Sequence, residues 1–396
     1  MSPAHLPLRA AFCLALACFT AGCGRKETPA VAALVEAAAP AVPESLPPAP
    51  GPAAAEKPPV PLVSPVPLRN PPPRRTGPVF QLPTKNDALF RGKPEEFYMF
   101  VDRYTPTGAV QVWQGGSYGN VRNPRTTAQG EVFTKFHEGI DIAPMERDAA
   151  GEPQDIVHAI ADGTVVYCAP NASSNYGNYV VVEHPCGEDH GNFYSLYAHL
   201  RRIDTTAGTV VKRGQALALM GHTGEGIDRR RSHVHLELCL MLSDHFSDFY
   251  ARYYKLANPN GNWHGHNLIG IDVAAFLLAA RAEPGLTPAD FLRTAQPYYK
   301  VRVPNKGAEL AIAHRYPWLR RPGEPAASWE IGYNAAGVPL SVQPDKAPCT
   351  VPSVVWVKPT PGYHSWNTRN HLGGSGNTAT LAPEGARYQQ LVTGDF

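Results

Sequence analysis

Between Gly163 and Leu242 the chain alternates short runs rich in β-branched and aromatic residues with tight-turn signals, and this rhythm restricts the fold more than any other feature. The runs are Gly163–Tyr167, Tyr179–Glu183, Phe193–Tyr197, Gln215–Met220 and His233–Leu242, with turns at Tyr176-Gly177-Asn178 and Gly221-His222-Thr223-Gly224. Strands joined by tight turns pair as antiparallel neighbours, whereas parallel pairing needs a crossover of a dozen residues or more. A further strand is expected over Phe97–Val101. Helical spacing enters only at Asp272–Arg281 and Pro288–Ala295, and short strands and loops return after Tyr298. The fold expected is mainly β, with an α+β extension at the C-terminal end.

The N-terminal part obeys different rules. Prolines number 41, about twice ordinary usage, and they concentrate between Gly24 and Pro78 in an Ala/Pro/Val tract that includes Pro71-Pro72-Pro73. Such a tract buries too little to offset the entropy of ordering and favours an extended left-handed helix, so residues 23–78 are expected to be a disordered tether reaching on the order of 100 Å. Ahead of it, His5 and Arg9 precede an apolar run from Ala10 to Phe19, too short to span a bilayer as a helix and suited to the core of an export signal. Thr20-Ala21-Gly22-Cys23 is similar to the end of a bacterial lipoprotein signal, which implies removal of residues 1–22 and lipidation of Cys23. Stable anchoring takes more than one acyl chain, and Gly24 in place of an Asp favours the outer membrane, so the expected location is periplasmic and outer-membrane-anchored. The remainder divides into residues 79–270 and a C-terminal region, 271–396, without a recognisable motif. The chain's 36 basic and 34 acidic residues give a formal charge of +2, which excludes the strongly basic surface of a nucleic-acid binder.

Fifteen histidines prompt a search for metal ligands. Two half-motifs, a His and an Asp four apart and two His two apart, are each expected roughly half a time by chance in such a chain, yet each occurs twice. His233 to Leu242 reads His-Val-His-Leu-Glu-Leu-Cys-Leu-Met-Leu. Side chains alternate along a strand, so Val234 and the leucines share a core face, while His233, His235 and Glu237 share the opposite one with the imidazoles about 7 Å apart. One can bind a metal while its neighbour addresses a water bound to it, and Glu237 can orient a histidine. His264-Gly265-His266 has no such apolar face and reads as a loop. In His137-Glu-Gly-Ile-Asp141 both candidate ligands share one face of an extended segment and Gly139 permits close passage; Asp162, directly before Gly163, reads as a turn residue and His158 as an edge histidine.

His137-Glu-Gly-Ile-Asp141, Ala161-Asp-Gly-Thr-Val-Val-Tyr167, Tyr176-Gly-Asn-Tyr-Val-Val-Val182, Tyr197-Ala-His-Leu200, Val211-Lys-Arg-Gly-Gln215, Gly221-His-Thr-Gly224 and His233-Val-His-Leu-Glu237 stand in the order seen in lysostaphin-like (LytM-domain) zinc metallopeptidases, which residues Gly116 to Leu242 therefore resemble. The resemblance implies a small antiparallel β-sandwich with a groove and an endopeptidase that hydrolyses peptide cross-links of bacterial peptidoglycan. It further implies one Zn2+ per chain held by His137, Asp141 and His235, with His199 and His233 catalytic. His233 is then the candidate general base, and His199 stabilises the oxyanion or passes a proton to the leaving amine. Such a zinc site keeps one position for water, whose proton a neutral imidazole is matched to take. The acidic loop Met145–Asp155 and the run Arg229–Arg231 are additions at the edge of the motifs.

The expected protein is a monomeric, peptidoglycan-directed enzyme anchored to the membrane through Cys23. The competing expectation is a non-catalytic wall-binding or amidase-regulating lipoprotein with the same fold; members of that kind usually lack metal ligands, and all five positions are filled here. Cys168 and Cys186 fall at opposite ends of a hairpin and are not expected to pair. Trp318, Trp329, Trp356 and Trp366 read as packing residues before a glycan platform.

Overall fold

The computed structural model describes residues 77–128, 130–170 and 174–396; the export signal, Cys23 and the tether as far as Thr76 lie outside them. A helical turn, Pro94–Phe97, stands at the start of the expected Phe97–Val101 strand. Pro94 has its φ preset and no N–H to satisfy at the first helical position, and Glu95 and Glu96 favour the positive end of the turn. Two antiparallel ribbons follow: β1 (Val101–Thr105) with β2 (Gly108–Val112), and β3 (Gly119–Thr127) with β4 (Gly130–His137).

The main sheet has nine strands, β5 (Ile140–Ile142), β6 (Ile156–His158), β7 (Gly163–Ala169), β8 (Asn178–Pro185), β9 (Asn192–Ile203), β10 (Val210–Val211), β11 (Ala216–Met220), β12 (Val234–Met241) and β13 (Leu268–Gly270), in the order β10-β7-β8-β9-β11-β6, with β12 joining β9, β5 and β13. Every pairing among them is antiparallel. The twelve-residue β9 serves two partners on one edge. Tyr194–Ala198 pair with Cys239–His235 of β12, and Leu200–Ile203 pair with Met220–Ala218 of β11. The change of partner falls at His199.

Both faces of this sheet are covered. Val180 and Val182 point into a large cluster with Tyr197, Leu236, Leu238 and Leu240, and the alternate residues Tyr179 and Val181 into a second with Leu196, Cys239, Met241 and Leu268. All eight residues of β12 are buried, the histidine face included, and Leu268 of β13 pairs beside Met241 in the cluster on that face. Two helices occupy Val273–Ala282 and Pro288–Arg293, their first turns capped by the Asp272 and Thr287 side chains, which accept from the N–H groups of Ala275 and Asp290. The strands β14 (Tyr299–Pro304), β15 (Ser328–Tyr333), β16 (Pro339–Asp345) and β17 (Ser353–Val357) form a second sheet ordered β16-β15-β14-β17. Its Tyr299, Val301 and Val303 belong to the same cluster as the β12 leucines, as does Trp318, so residues 271–396 share a core with the strands before them. Cys168, Cys186, Cys239 and Cys349 are free thiols.

Candidate metal centre

Local backbone geometry brings five polar side chains to one point. β4 ends on His137, and β5 carries Asp141. Between them Gly139 is required, because a Cβ there would lie 2.3 Å from the Leu236 carbonyl oxygen and 3.0 Å from His235 Nε2. β12 sets His235 opposite Asp141 in register, and His233, just ahead of the strand, bridges Gly221. His199 has φ +63°, the left-handed region that residues other than glycine seldom enter. Its N–H donates to the Tyr176 carbonyl at 2.9 Å, and its ring lies 4.8 Å from that of His233 and 5.7 Å from that of His235. The five groups are only 2–7% exposed.

Each imidazole has its outer nitrogen against an acceptor. His137 Nδ1 donates to the Ser117 carbonyl (2.8 Å), His199 Nδ1 to the Thr223 carbonyl (2.9 Å), His233 Nδ1 to the Arg231 carbonyl (2.6 Å) and His235 Nε2 to the Glu237 carboxylate (2.8 Å). Carbonyl and carboxylate oxygens only accept, so in the neutral tautomer of each ring this nitrogen carries the proton and the other turns its lone pair inward. His137 Nε2, His235 Nδ1 and Asp141 Oδ1 form a triangle with sides of 3.0, 2.9 and 3.1 Å, and His233 Nε2 is 3.3 Å from the same oxygen. In that neutral form acceptors this close repel unless a cation, either a metal ion or the proton His235 takes up, lies among them. The triangle nearly matches the edges of a tetrahedral zinc site, about 3.3 Å for bonds of about 2.0–2.1 Å. The donor set thus fits a single divalent ion.

The charges around the site act consistently. Burial opposes ionisation of Asp141, but His137, His233 and Arg122 outweigh it and hold the carboxyl well below its usual range. Burial likewise opposes charge on Glu237, and the hydrogen bonds from His235, Tyr176 and Cys239 overcome it. Burial, followed by the neighbouring His233 and His235, pushes His199 well below 6.5, so His199 is a neutral acceptor in the resting protein. His235 goes the other way: burial lowers it, yet hydrogen bonds to Asp141 and Glu237 raise it to about 9.

A pH dependence follows. The folded His235 value lies above the unfolded value of 6.5, so its proton stabilises the metal-free fold fully below about pH 6.5, a contribution lost as pH rises through about 9. A divalent ion competes with that proton. Apparent metal affinity is expected to weaken by about tenfold per pH unit between about 9 and 7, with one proton released per ion; calorimetry in buffers of different ionisation enthalpy counts the proton, and a count of zero at pH 7 would contradict the assignment.

The expected ligand and catalytic positions His137, Asp141, His199, His233 and His235 are therefore brought together. His158 instead lies against the Pro83 carbonyl, Asp162 caps Arg213 and Lys212, and His266 bonds Tyr254. The edge additions are tied down: the Asp155 carboxylate accepts from the N–H groups of Met145 and Glu146, Arg147 donates to the Arg229 and Arg230 carbonyls, and Arg230 pairs with Asp102. Sequence reasoning missed Arg122, whose Nη2 donates to Asp141 Oδ2 at 2.6 Å, and the part of Tyr176, whose hydroxyl donates to Glu237 at 2.6 Å.

Two histidines and an aspartate thus meet within 3.1 Å on an antiparallel β-sheet, a donor set that fits one divalent ion. Residues 135–245 match the model of peptidase family M23, and the chain belongs to that family. It is 36% identical over 77 residues to Lipoprotein NlpD of Yersinia enterocolitica, an alignment covering 19% of this chain and 73% of that protein. It is 33% identical over 120 residues to Murein hydrolase activator NlpD of Escherichia coli (strain K12), covering 29% of this chain and 27% of that one. This chain thus spans about a quarter of the length of the latter relative. Among solved structures, the catalytic domain of the antimicrobial peptidase lysostaphin from Staphylococcus simulans is 24% identical, covering 31% of this chain and 75% of that chain with a TM-score of 0.22.

Proposed function

We propose that the chain is a zinc-dependent endopeptidase that hydrolyses peptide cross-links of bacterial peptidoglycan, with one Zn2+ held by His137, Asp141 and His235. The observation that carries this reading is the convergence of those three groups within 3.1 Å of one another, each able to turn a lone pair inward. When bound, zinc lowers the pKa of a coordinated water to about 7 and polarises the scissile carbonyl. His233 and His199 supply proton transfer. Each turns a lone pair toward the site; His233 takes one proton from the attacking water, and one proton is delivered to the leaving amine by His233 or through His199. His199 in its resting tautomer accepts and does not donate, so it stabilises an oxyanion only after it has taken up a proton.

Glu237 holds His235 in the tautomer that presents Nδ1. Glu237→Gln is expected to weaken zinc affinity about 10–100-fold, measured by competition with a chelating dye; unchanged affinity would remove Glu237 from that role. In the cell this reading makes the protein an exported, monomeric lipoprotein, anchored through Cys23 to the outer membrane on the periplasmic side, with residues 23–78 spanning to the wall. The lipoprotein names of its relatives support the envelope location.

A second reading, a non-catalytic activator of another wall hydrolase, draws support from the name of the Escherichia coli relative. Incubation of the zinc-loaded chain with purified peptidoglycan, followed by mass spectrometry of the muropeptides, separates the two. Cross-linked dimers are expected to fall to monomers, and a chelator is expected to stop it. Intact cross-links with the zinc-loaded chain, together with faster digestion when a purified amidase is added, would overturn the enzyme reading in favour of the second.

A further inference from the structure

The ligands lie within the family-matched stretch, 135–245, but a cation from the ribbon before it reaches one of them. Arg122, on β3, is fixed at two points. Its Nε donates to the Gly115 carbonyl at 2.8 Å and its Nη2 to Asp141 Oδ2 at 2.6 Å. The second contact is a short, charge-assisted bond to a carboxylate that is 3% exposed. The other oxygen, Oδ1, is the one that faces His137 and His235. A carboxylate has two oxygens able to chelate the same ion, and only one of them is left to it here.

We propose that Arg122 is a positioning residue that restricts Asp141 to one ligating oxygen and so keeps a coordination position open for solvent. This rests on the metal-site reading above. The guanidinium also places a positive charge beside the ion, so its presence weakens metal affinity while preserving the vacancy. Both consequences follow from the same contact: without Arg122, Oδ2 is free to chelate and the repulsion is gone. Ordinary outer support of a ligand acts in the opposite sense, since its removal loosens the metal, and the sign of the affinity change therefore identifies the role.

The test uses Co2+ alone as the probe, in the full chain and in Arg122→Met. Visible absorption reports geometry, four-coordinate sites absorbing strongly and higher-coordinate ones weakly, and titration gives affinity. The parent chain is expected to bind one Co2+ with an intense band. Arg122→Met is expected to bind Co2+ several-fold more tightly, with the band several-fold weaker. An unchanged band, or looser binding in Arg122→Met, would overturn the proposal. Failure of the parent chain to bind Co2+ would instead overturn the metal-site reading on which it rests. Should Arg122→Met not fold, Arg122→Gln, too short to reach Oδ2, carries the same expectations.

Discussion

Asp141→Asn is expected to give a folded chain that neither retains zinc nor cuts peptidoglycan. Asparagine keeps the size and the Oδ1 acceptor of the native residue, so the strand pairing of Asp141 with His235 and the buried packing persist. What goes is the negative charge, which His137, His233 and Arg122 all face. Without it the two imidazoles alone meet the dication, with Arg122 still repelling it. The loss in affinity is expected to exceed the roughly 10–100-fold that an outer partner such as Glu237 is worth. Hydrolysis is expected to fall on the order of 1,000-fold or more, because several kcal/mol of transition-state stabilisation leaves with the ion. Metal counted after dialysis and muropeptide release read the two effects separately. Full activity in Asp141→Asn would exclude a role for the carboxylate in holding metal.

The second large effect divides binding from chemistry. His199→Asn and His233→Ala are each expected to retain one zinc per chain and lose about 100- to 10,000-fold in hydrolysis, the usual worth of general acid–base catalysis. Asparagine suits position 199 because, with histidine, it tolerates the left-handed backbone found there (φ +63°), so the variant tests the imidazole and not the turn. In His233→Ala the Arg231 carbonyl loses its donor, but no ligand atom moves out of the triangle. Loss of zinc from either variant would place that histidine among the ligands; unchanged turnover in both would leave the site without a proton acceptor.

The extent to which these features were legible in the sequence follows from their range in the chain. The alternation of β12 and the spacings His137 to Asp141 and His233 to His235 are local, and they marked those four residues as candidates and Val234 with the leucines as the core face. Glu237 was readable as a neighbour on the histidine face, but its burial was not, because Leu268 and the rest of the covering cluster come from elsewhere. His199 sits in a run that reads as ordinary strand, and its orientation depends on β9 changing partner from β12 to β11, a tertiary event. The acceptors that fix three of the imidazoles are backbone carbonyls of Ser117, Thr223 and Arg231, which any residue type supplies. Arg122 was unreadable for a related reason: its pairing with Asp141 depends on where the β3–β4 ribbon folds back. At Phe97–Val101 an apolar run suggested a strand; a helical turn led by Pro94 takes Phe97, Tyr98 makes an isolated antiparallel bridge to Ile142, and β1 begins only at Val101.

The account stands on three acceptors sharing one ion. X-ray absorption at the zinc edge of the loaded, dialysed protein tests this most directly. The account predicts one zinc per chain with four nitrogen or oxygen neighbours at about 2.0–2.1 Å, two of them imidazole, and no sulfur. A protein that emerges from dialysis without zinc, or a spectrum with sulfur at about 2.3 Å, would contradict it.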